Sequence, residues 1–365
     1  MSTDSHQLVE TVIAAFARGE IVVVADDDDR ENEGDLFVAA SLCTPEKMAF
    51  IIRNTSGIVC APLAPEEARR LHLDPMVALN DAPLGTAFTV SVDVRHGLST
   101  GISAEERTNT VRALANGNSG ATDFVRPGHV FPLVAKEGGV LMRSGHTEAC
   151  VDLCRLAGLA PVGVLSELMN DDGTVMRGSE LAAFAERQKL QRISIAELIA
   201  YRQARDKLIE RVGEFPVESE IGTLSGYAFI TPFDAVHHMA FVHGDIGDGK
   251  NVLTRLHRAN IISDVFGGAK PIHQALSRFK AEGRGVMVLL RDGTAGVPVV
   301  SIPKSADTAS GEARTRQWRE IGLGAQILKD LGVHSIRLIT SSRPTTYIGL
   351  SGFGIEIVGT EPVEG

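Results

Sequence analysis

Apolar positions recur along this chain with two periods, and the switches between them predict most of its elements. Leu8, Val9, Val12, Ile13 and Phe16 share one helical face, which predicts a helix over His6–Arg18 that Gly19 stops. The β-branched run Ile21–Ala25 predicts a buried strand. Thr44 before Pro45 reads as the N-cap of a helix over Pro45–Arg53. Ile58–Ala61 reads as a strand and Pro65–Leu71 as a helix, while Ala87–Val94 alternates as a half-buried strand does. Ser103 with Glu106 three residues on has the form of a capping box and predicts a helix over Ser103–Asn116. His129–Ala135 and Gly139–Met142 read as short strands. Thr147–Ala157, Glu180–Lys189 and Ser194–Arg211 read as helices, and Val164–Leu168 carries Glu167 at the end of an apolar strand.

The stretch Gln203–Glu220 is rich in charge and poor in periodicity, so the domain boundary is placed within it. Residues 1–205 then form one domain and residues 206–365 a second. In the second, Ala228–Ile230, Met239–Val242, Val252–Leu256, Val286–Leu290 and Ser335–Thr340 read as strands. Pro271–Glu282 and Arg319–Leu331 read as helices, and Gly244–Asn251 as a turn-rich hairpin connection. Alternating elements with several strands close together predict an α+β first domain, a mixed sheet with helices on its faces, followed by an α/β-type domain.

Composition narrows the function. The 365 residues carry a net charge of -10, which leaves no general attraction to nucleic acid or to an anionic membrane. An anionic substrate must therefore be met by local basic side chains. No apolar run is long enough to span a bilayer. Met1–Gly19 lacks the basic segment and apolar core of a secretory leader, so a cytoplasmic protein is expected. The cysteines are Cys43, Cys60, Cys150 and Cys154, without a CxxC pair, so no thiolate zinc site is expected. Cys150 and Cys154 fall on one helical face, and buried thiols in a reducing compartment are the preferred reading over a shared metal or a disulfide.

The densest chemistry is Asp26–Asp35, with seven carboxylates in ten residues directly after the Val-rich strand and Arg30 among them. Such carboxylates repel one another unless a cation sits among them, and their oxygens suit a hard divalent ion. Read alone, the cluster fits either a metal and substrate site or a polar strand-to-helix loop that stays wet. Three weaker segments accompany it. His129 follows the Pro127-Gly128 turn, where side chains often face a cleft. Arg143, Ser144, Gly145, His146 and Thr147 open a helix, whose first N–H groups make an anion cradle. Glu167 ends its strand. Each alone also has an ordinary structural reading.

Together these segments resemble 3,4-dihydroxy-2-butanone 4-phosphate synthase, a lyase of riboflavin biosynthesis, from about Leu8 to Arg205. The resemblance rests on Asp29-Arg30-Glu31-Asn32-Glu33-Gly34-Asp35, Arg126-Pro127-Gly128-His129-Val130-Phe131-Pro132, Gly145-His146-Thr147-Glu148-Ala149 and Asn170-Asp171-Asp172-Gly173-Thr174. It implies that D-ribulose 5-phosphate is converted to 3,4-dihydroxybutan-2-one 4-phosphate and formate by a homodimer using Mg2+ or Mn2+, two ions per subunit. It implies Glu31 and His146 as metal ligands. Arg30, Glu31, Asp35, Glu167 and the loop Arg143–Thr147 (Arg143, Ser144, Gly145, His146, Thr147) would bind substrate, and His129 and Glu167 would be catalytic. Leu84 departs from the aromatic or histidine that many relatives carry there, so a polar contact is expected to be missing. Cys60 follows a strand near the same site and reads as a structural thiol.

The second half resembles GTP cyclohydrolase II from roughly Ile209 to Gly359, at Leu253–His257, Asp264–Gly267 and Ile321–Leu328. That family holds zinc with three cysteines. Here His257-Arg258-Ala259-Asn260 stands for His-Ser-Glu-Cys, and Pro271-Ile272-His273 for Cys-Asp-Cys. The arginine of its Arg-Gly-Ile-Gly-Leu segment is also missing near Arg291–Gly296. No zinc and no cyclohydrolase activity are expected. The alternatives are a bifunctional enzyme with an unusual site built from His257, His273 and Asp264, or a non-catalytic regulator that binds a sugar phosphate or nucleotide.

Overall fold

Ile21–Ala25 has no polar side chain to offer water, and the chain places it where none is needed. Val22, Val23 and Val24 are all fully buried, in a strand paired on both sides within a sheet covered on both faces. The computed structural model describes residues 3–26, 33–82, 85–232, 234–260, 262–291, 322–340 and 355–363. These fall into two compact units that part between Tyr201 and Arg202.

The first unit runs α1 (Thr3–Ala17), β1 (Val22–Ala25), β2 (Gly34–Ala39), α2 (Pro45–Asn54), β3 (Cys60–Leu63), α3 (Pro65–Arg70), β4 (Val92–Val94), α4 (Ala104–Leu114), β5 (Phe124–Val134), α5 (His146–Leu156), β6 (Gly163–Glu167), α6 (Ser179–Gln188), β7 (Gln191–Ser194) and α7 (Ile195–Arg205), the last ending in the second unit. Its mixed seven-stranded sheet has the order β4-β5-β3-β6-β2-β1-β7. One face carries Val23, Leu36, Val38, Ala61 and Val164, packed with Met48 and Ile51 of α2, Val111 and Leu114 of α4, and Leu181 and Phe184 of α6. The opposite face belongs to α1 and α5. There Phe37 meets His146, and Gly163 leaves room for Cys150. Fully burying a side chain such as Phe37 stabilises by about 1.5–3 kcal/mol.

Caps set the helix starts as expected. The Thr44 hydroxyl accepts the Lys47 N–H at 3.4 Å, and Ser103 and Glu106 form the reciprocal capping box. Other expectations give way. Gly139–Met142 is not a strand but a tight turn over Gly139–Leu141. Gly138 and Gly139 have φ of 88° and 64°, and the Asp152 carboxylate accepts the Val140 N–H at 2.8 Å. Of Ala87–Val94 only Val92–Val94 is regular strand. Thr89 and Phe88 make isolated bridges to Pro75 and Leu133.

The second unit runs β8 (Glu210–Ser219), β9 (Gly222–Thr231), β10 (Asp234–His243), β11 (Val252–Arg258), α8 (Lys270–Glu282), β12 (Gly285–Leu290), β13 (Ser335–Thr340) and β14 (Glu356–Pro362), with residues 322–330 also helical. The described part of the expected helix Arg319–Leu331 is thus helical up to its last residue, Leu331, which turns. The sheet order is β14-β13-β11-β12-β10-β9-β8. The helix expected to reach Arg211 stops at Arg205, and the charged stretch Gln203–Glu220 is largely ordered as β8. That is an edge strand, the position that tolerates Pro216 and many charges. Gly244–Asn251 is turn-rich but joins no hairpin, because β12 lies between β10 and β11.

Candidate active site

Strand register gathers the catalytic candidates. Asp35 of β2 lies opposite Glu167 of antiparallel β6, so both carboxylates stand on one face of the sheet. The next rung inward holds Phe37 opposite Leu165, Leu165 opposite Cys60, and Cys60 opposite Phe131. His129 precedes Phe131 by two residues on β5, which runs parallel to β3, whereas Glu167 follows Leu165 by two on antiparallel β6. The side-chain period of two therefore puts His129, Glu167 and Asp35 at the same end and on the same face. The chain leaves β1 at Ala25 and re-enters β2 at Gly34 at this end. Arg30 and Glu31 fall between these points and lie outside the described residues, as does Leu84.

Helix α5 covers this face from above. Gly145 caps it in extended backbone, and its first residue, His146, is 8% exposed. The His146 Nδ1 stands 4.0 Å from Asp35 Oδ2, and its ring meets Phe37 edge-on with centroids 6.0 Å apart. Thr147 is buried beside it. Arg143 donates from Nη1 to Glu148 Oε2 at 2.6 Å, and the other Glu148 oxygen accepts the Lys136 N–H at 2.9 Å. A side chain at Gly145 would collide with that guanidinium and carboxylate. The loop Arg143–Thr147, Ser144 included, is thus laid over Asp35 by a buried carboxylate, Glu148.

Each proton-carrying candidate has its own partner. The Ser56 hydroxyl donates to Glu167 Oε2 at 2.8 Å, and the Ser56 N–H donates to the Glu167 carbonyl at 2.9 Å. His129 lies inside β5, not after a turn that precedes a strand. Gly128 lets β5 press against β4 there, since a Cβ would enter the Val92 and Asp93 backbone. Asp93 accepts from the His129 N–H at 2.9 Å and lies 2.7 Å from its Nδ1. Beneath the site, burial pushes the Cys60 thiol up, and the Glu167 and Asp35 carboxylates push it further. Burial raises Cys150 too, with Cys154 and Asp35 adding to it, and all four cysteines are free.

Asp93, Ser56 and Glu148 were not named as site residues from sequence. Asp93 and Ser56 hold partners 36 and 111 residues away, which no local pattern reveals. A carboxylate inside the apolar run Val92–Val94 was the one available signal for Asp93.

An imidazole beside carboxylate oxygens suits a hard divalent ion. Among the described residues no three His, Cys, Asp or Glu side chains converge to hold one alone. The donors present therefore fit such an ion if a further ligand joins them, and Glu31 is available in the sequence between β1 and β2.

In the second unit His257 Nε2 stands 3.0 Å from both carboxylate oxygens of Asp264, which also accepts the Asn260 N–H at 2.8 Å. His273 instead pairs with Glu220 at 2.7 Å. Of the three residues considered as a substitute metal site, two meet and the third is engaged elsewhere. Arg291 is described, and Asp292–Gly296 lie outside the described residues.

Residues 10–201 match the family model of 3,4-dihydroxy-2-butanone 4-phosphate synthase, and residues 210–362 that of GTP cyclohydrolase II. The chain belongs to the 3,4-dihydroxy-2-butanone 4-phosphate synthase family, enzymes of riboflavin biosynthesis, and carries a GTP cyclohydrolase II domain fused behind the synthase. Among its relatives, the monofunctional riboflavin biosynthesis protein RIBA 2, chloroplastic, of Arabidopsis thaliana is 45% identical over 99% of this chain and 78% of its own length. The riboflavin biosynthesis protein RibBA of Salinispora arenicola is 44% identical over 96% of this chain and 87% of its own length. The bifunctional RIBA 1 of Arabidopsis thaliana is 43% identical over 100% of this chain and 70% of its own length. Among solved structures, RibBX from A. baumannii, a two-domain synthase, aligns with TM-score 0.80 and 34% identity, covering 97% of this chain and 99% of that one. A synthase in complex with two magnesium ions aligns with TM-score 0.53 and 48% identity, covering 54% of this chain and 97% of that one.

Proposed function

We propose that the first domain, residues 1–205, converts D-ribulose 5-phosphate to L-3,4-dihydroxybutan-2-one 4-phosphate and formate by enolisation, loss of water and a carbon shift. The observation that carries this reading is the strand register that brings His129, Glu167 and Asp35 to one end and one face of the sheet, with His146 4.0 Å from Asp35. Glu31 and His146 would hold Mg2+ or Mn2+, and a bound divalent ion supplies a positive centre for the ketose oxygens. Two ions per subunit are expected from the family resemblance, and a related synthase has been solved in complex with two magnesium ions. Arg30, Asp35 and the loop Arg143–Thr147 would bind the sugar phosphate, whose charge suits the N–H groups opening α5. Glu167, steadied by Ser56, and His129, steadied by Asp93, would exchange the protons of enolisation and dehydration with the ketose carbons and hydroxyls. The fixed placement of these groups supplies orientation that free reactants lack.

Residues 206–365 are read as inactive toward GTP. The thiolates that the cyclohydrolase family uses are replaced by Asn260, Pro271 and His273, and hard or neutral side chains are poor substitutes at a zinc centre. A relative named monofunctional supports this reading, whereas relatives named bifunctional favour the second, that GTP is also hydrolysed. A homodimer is expected from the family resemblance. Cytoplasmic residence is expected from the buried thiols, which suit a reducing compartment. Among the described residues no helix is long and apolar enough to cross a membrane.

Formate release from ribulose 5-phosphate with Mg2+, repeated after EDTA and after restoring Mg2+, tests the first domain. Activity that is lost and regained is the expected result, and no formate at any stage would overturn the reading. With GTP and zinc the expected result is no pyrimidine product, and its appearance would establish the bifunctional alternative.

A further inference from the structure

The His129–Asp93 contact is more than a surface ion pair. Asp93 is 3% exposed and sits on β4 between Val92 and Val94. Its two oxygens divide the work: Oδ1 accepts the His129 backbone N–H at 2.9 Å, and Oδ2 faces the imidazole Nδ1 at 2.7 Å. Both contacts go to one residue, so backbone and ring are fixed together. Gly101 closes over the pair. It has φ of 84°, and a Cβ there would collide with Asp93 Oδ2 and stand 2.6 Å from His129 Nδ1. Arg107 of α4 faces Asp93 with its charge while donating from Nη1 to the Gly57 carbonyl at 2.9 Å. Gly57 follows Ser56, the residue that holds Glu167.

We propose that Asp93 is a positioning residue that fixes the tautomer of His129, keeping the proton on Nδ1 and leaving Nε2 to exchange protons with the ketose. An ionised carboxylate only accepts, so the Nδ1 it faces must carry hydrogen. The ring nitrogen at the other end then has a free lone pair for a substrate proton. The inference rests on the reading of His129 as a proton carrier.

The variant Asp93→Asn tests it with little change of shape. The His129 backbone N–H is a fixed donor, so the amide oxygen must stay on it. The amide NH2 is then forced onto Nδ1, which has to accept, and the proton moves to Nε2. Turnover is expected to fall about 100-fold or more, as when a catalytic histidine is held in the wrong tautomer, with KM changed less than about 3-fold. Nitrogen-15 NMR of histidine-labelled full-length protein, followed upward in pH until the His129 signals no longer move, should find the ring protonated at Nδ1 in the native chain and at Nε2 in the variant. A variant with native turnover, or a native chain protonated at Nε2, would overturn the proposal. The native spectrum decides it even if the variant does not fold. His129→Ala separates the two levels: native turnover there would remove the catalytic reading of His129 itself, whatever the spectrum shows.

Discussion

Ser56, Asp93 and Glu148 each hold a residue that the sequence singles out, and their worth is measurable one side chain at a time. Ser56→Ala removes the hydroxyl donor to Glu167 and leaves that carboxylate free to turn. A hydrogen bond to a charged group contributes about 1.5–3 kcal/mol, so turnover should drop on the order of 10-fold or more with KM little changed. Formate-release kinetics check this, and native turnover would show that Glu167 is oriented by something else. His129 and Glu167 stand out in the sequence as candidates because each sits beside a pattern break, a Pro-Gly pair and the end of an apolar run. Their holders were not, because Ser56 is one hydroxyl in a turn and the Asp93–His129 pairing exists only once β4 and β5 are side by side.

At the scale of elements, local chemistry wrote the helix starts plainly and the strands only in part. In α4 the Ser103 hydroxyl accepts the Glu106 N–H at 3.1 Å, and the Glu106 carboxylate is held below the usual range by the Ser99 hydroxyl and N–H, the Gly101 N–H and the Ser103 hydroxyl. Ser103→Ala should cost the first unit about 1 kcal/mol, read as a lower midpoint in denaturant with an unchanged slope. An unchanged midpoint would mean that the cap is redundant. A carboxylate so depressed contributes stability that is present above its unfolded pKa and is lost as pH falls toward the folded one. The Gly139–Met142 expectation failed because two left-handed glycines and the grip of Asp152 outweigh an apolar run. Strand β8 was hidden because charges on an edge strand meet water on its open side. No period in the sequence could place β12 between β10 and β11, since sheet order is set by contacts far apart in the chain.

At the scale of the molecule, two units with separate sheets are expected to respond differently to acid. Burial first, and then the charges of Arg291 and His237, push His238 in the second sheet down to about 4 from an ordinary value of 6.5. Its Nδ1 accepts the Arg291 N–H at 3.2 Å. Between those two values the unfolded chain binds the proton and the folded one does not, so stability must fall as pH drops through that window. Calorimetry should show the second unit losing thermal stability from pH 6.5 toward 4, and His238→Gln should flatten the loss. An identical slope in the variant would assign the effect to other groups. The synthase identity was legible from four short motifs, whereas the reading of the second unit turned on which residues stand where cysteines would be.

The proposed chemistry needs one arrangement: a divalent ion on Glu31 and His146 beside His129 and Glu167 of the first sheet. A crystal structure of the full chain with Mg2+ and ribulose 5-phosphate tests it most directly. The expected result is both side chains on the ion, the phosphate at the start of α5, and His129 Nε2 and Glu167 within about 3 Å of ketose atoms. A ketose bound away from that end of the sheet, or Glu31 and His146 turned apart, would contradict it.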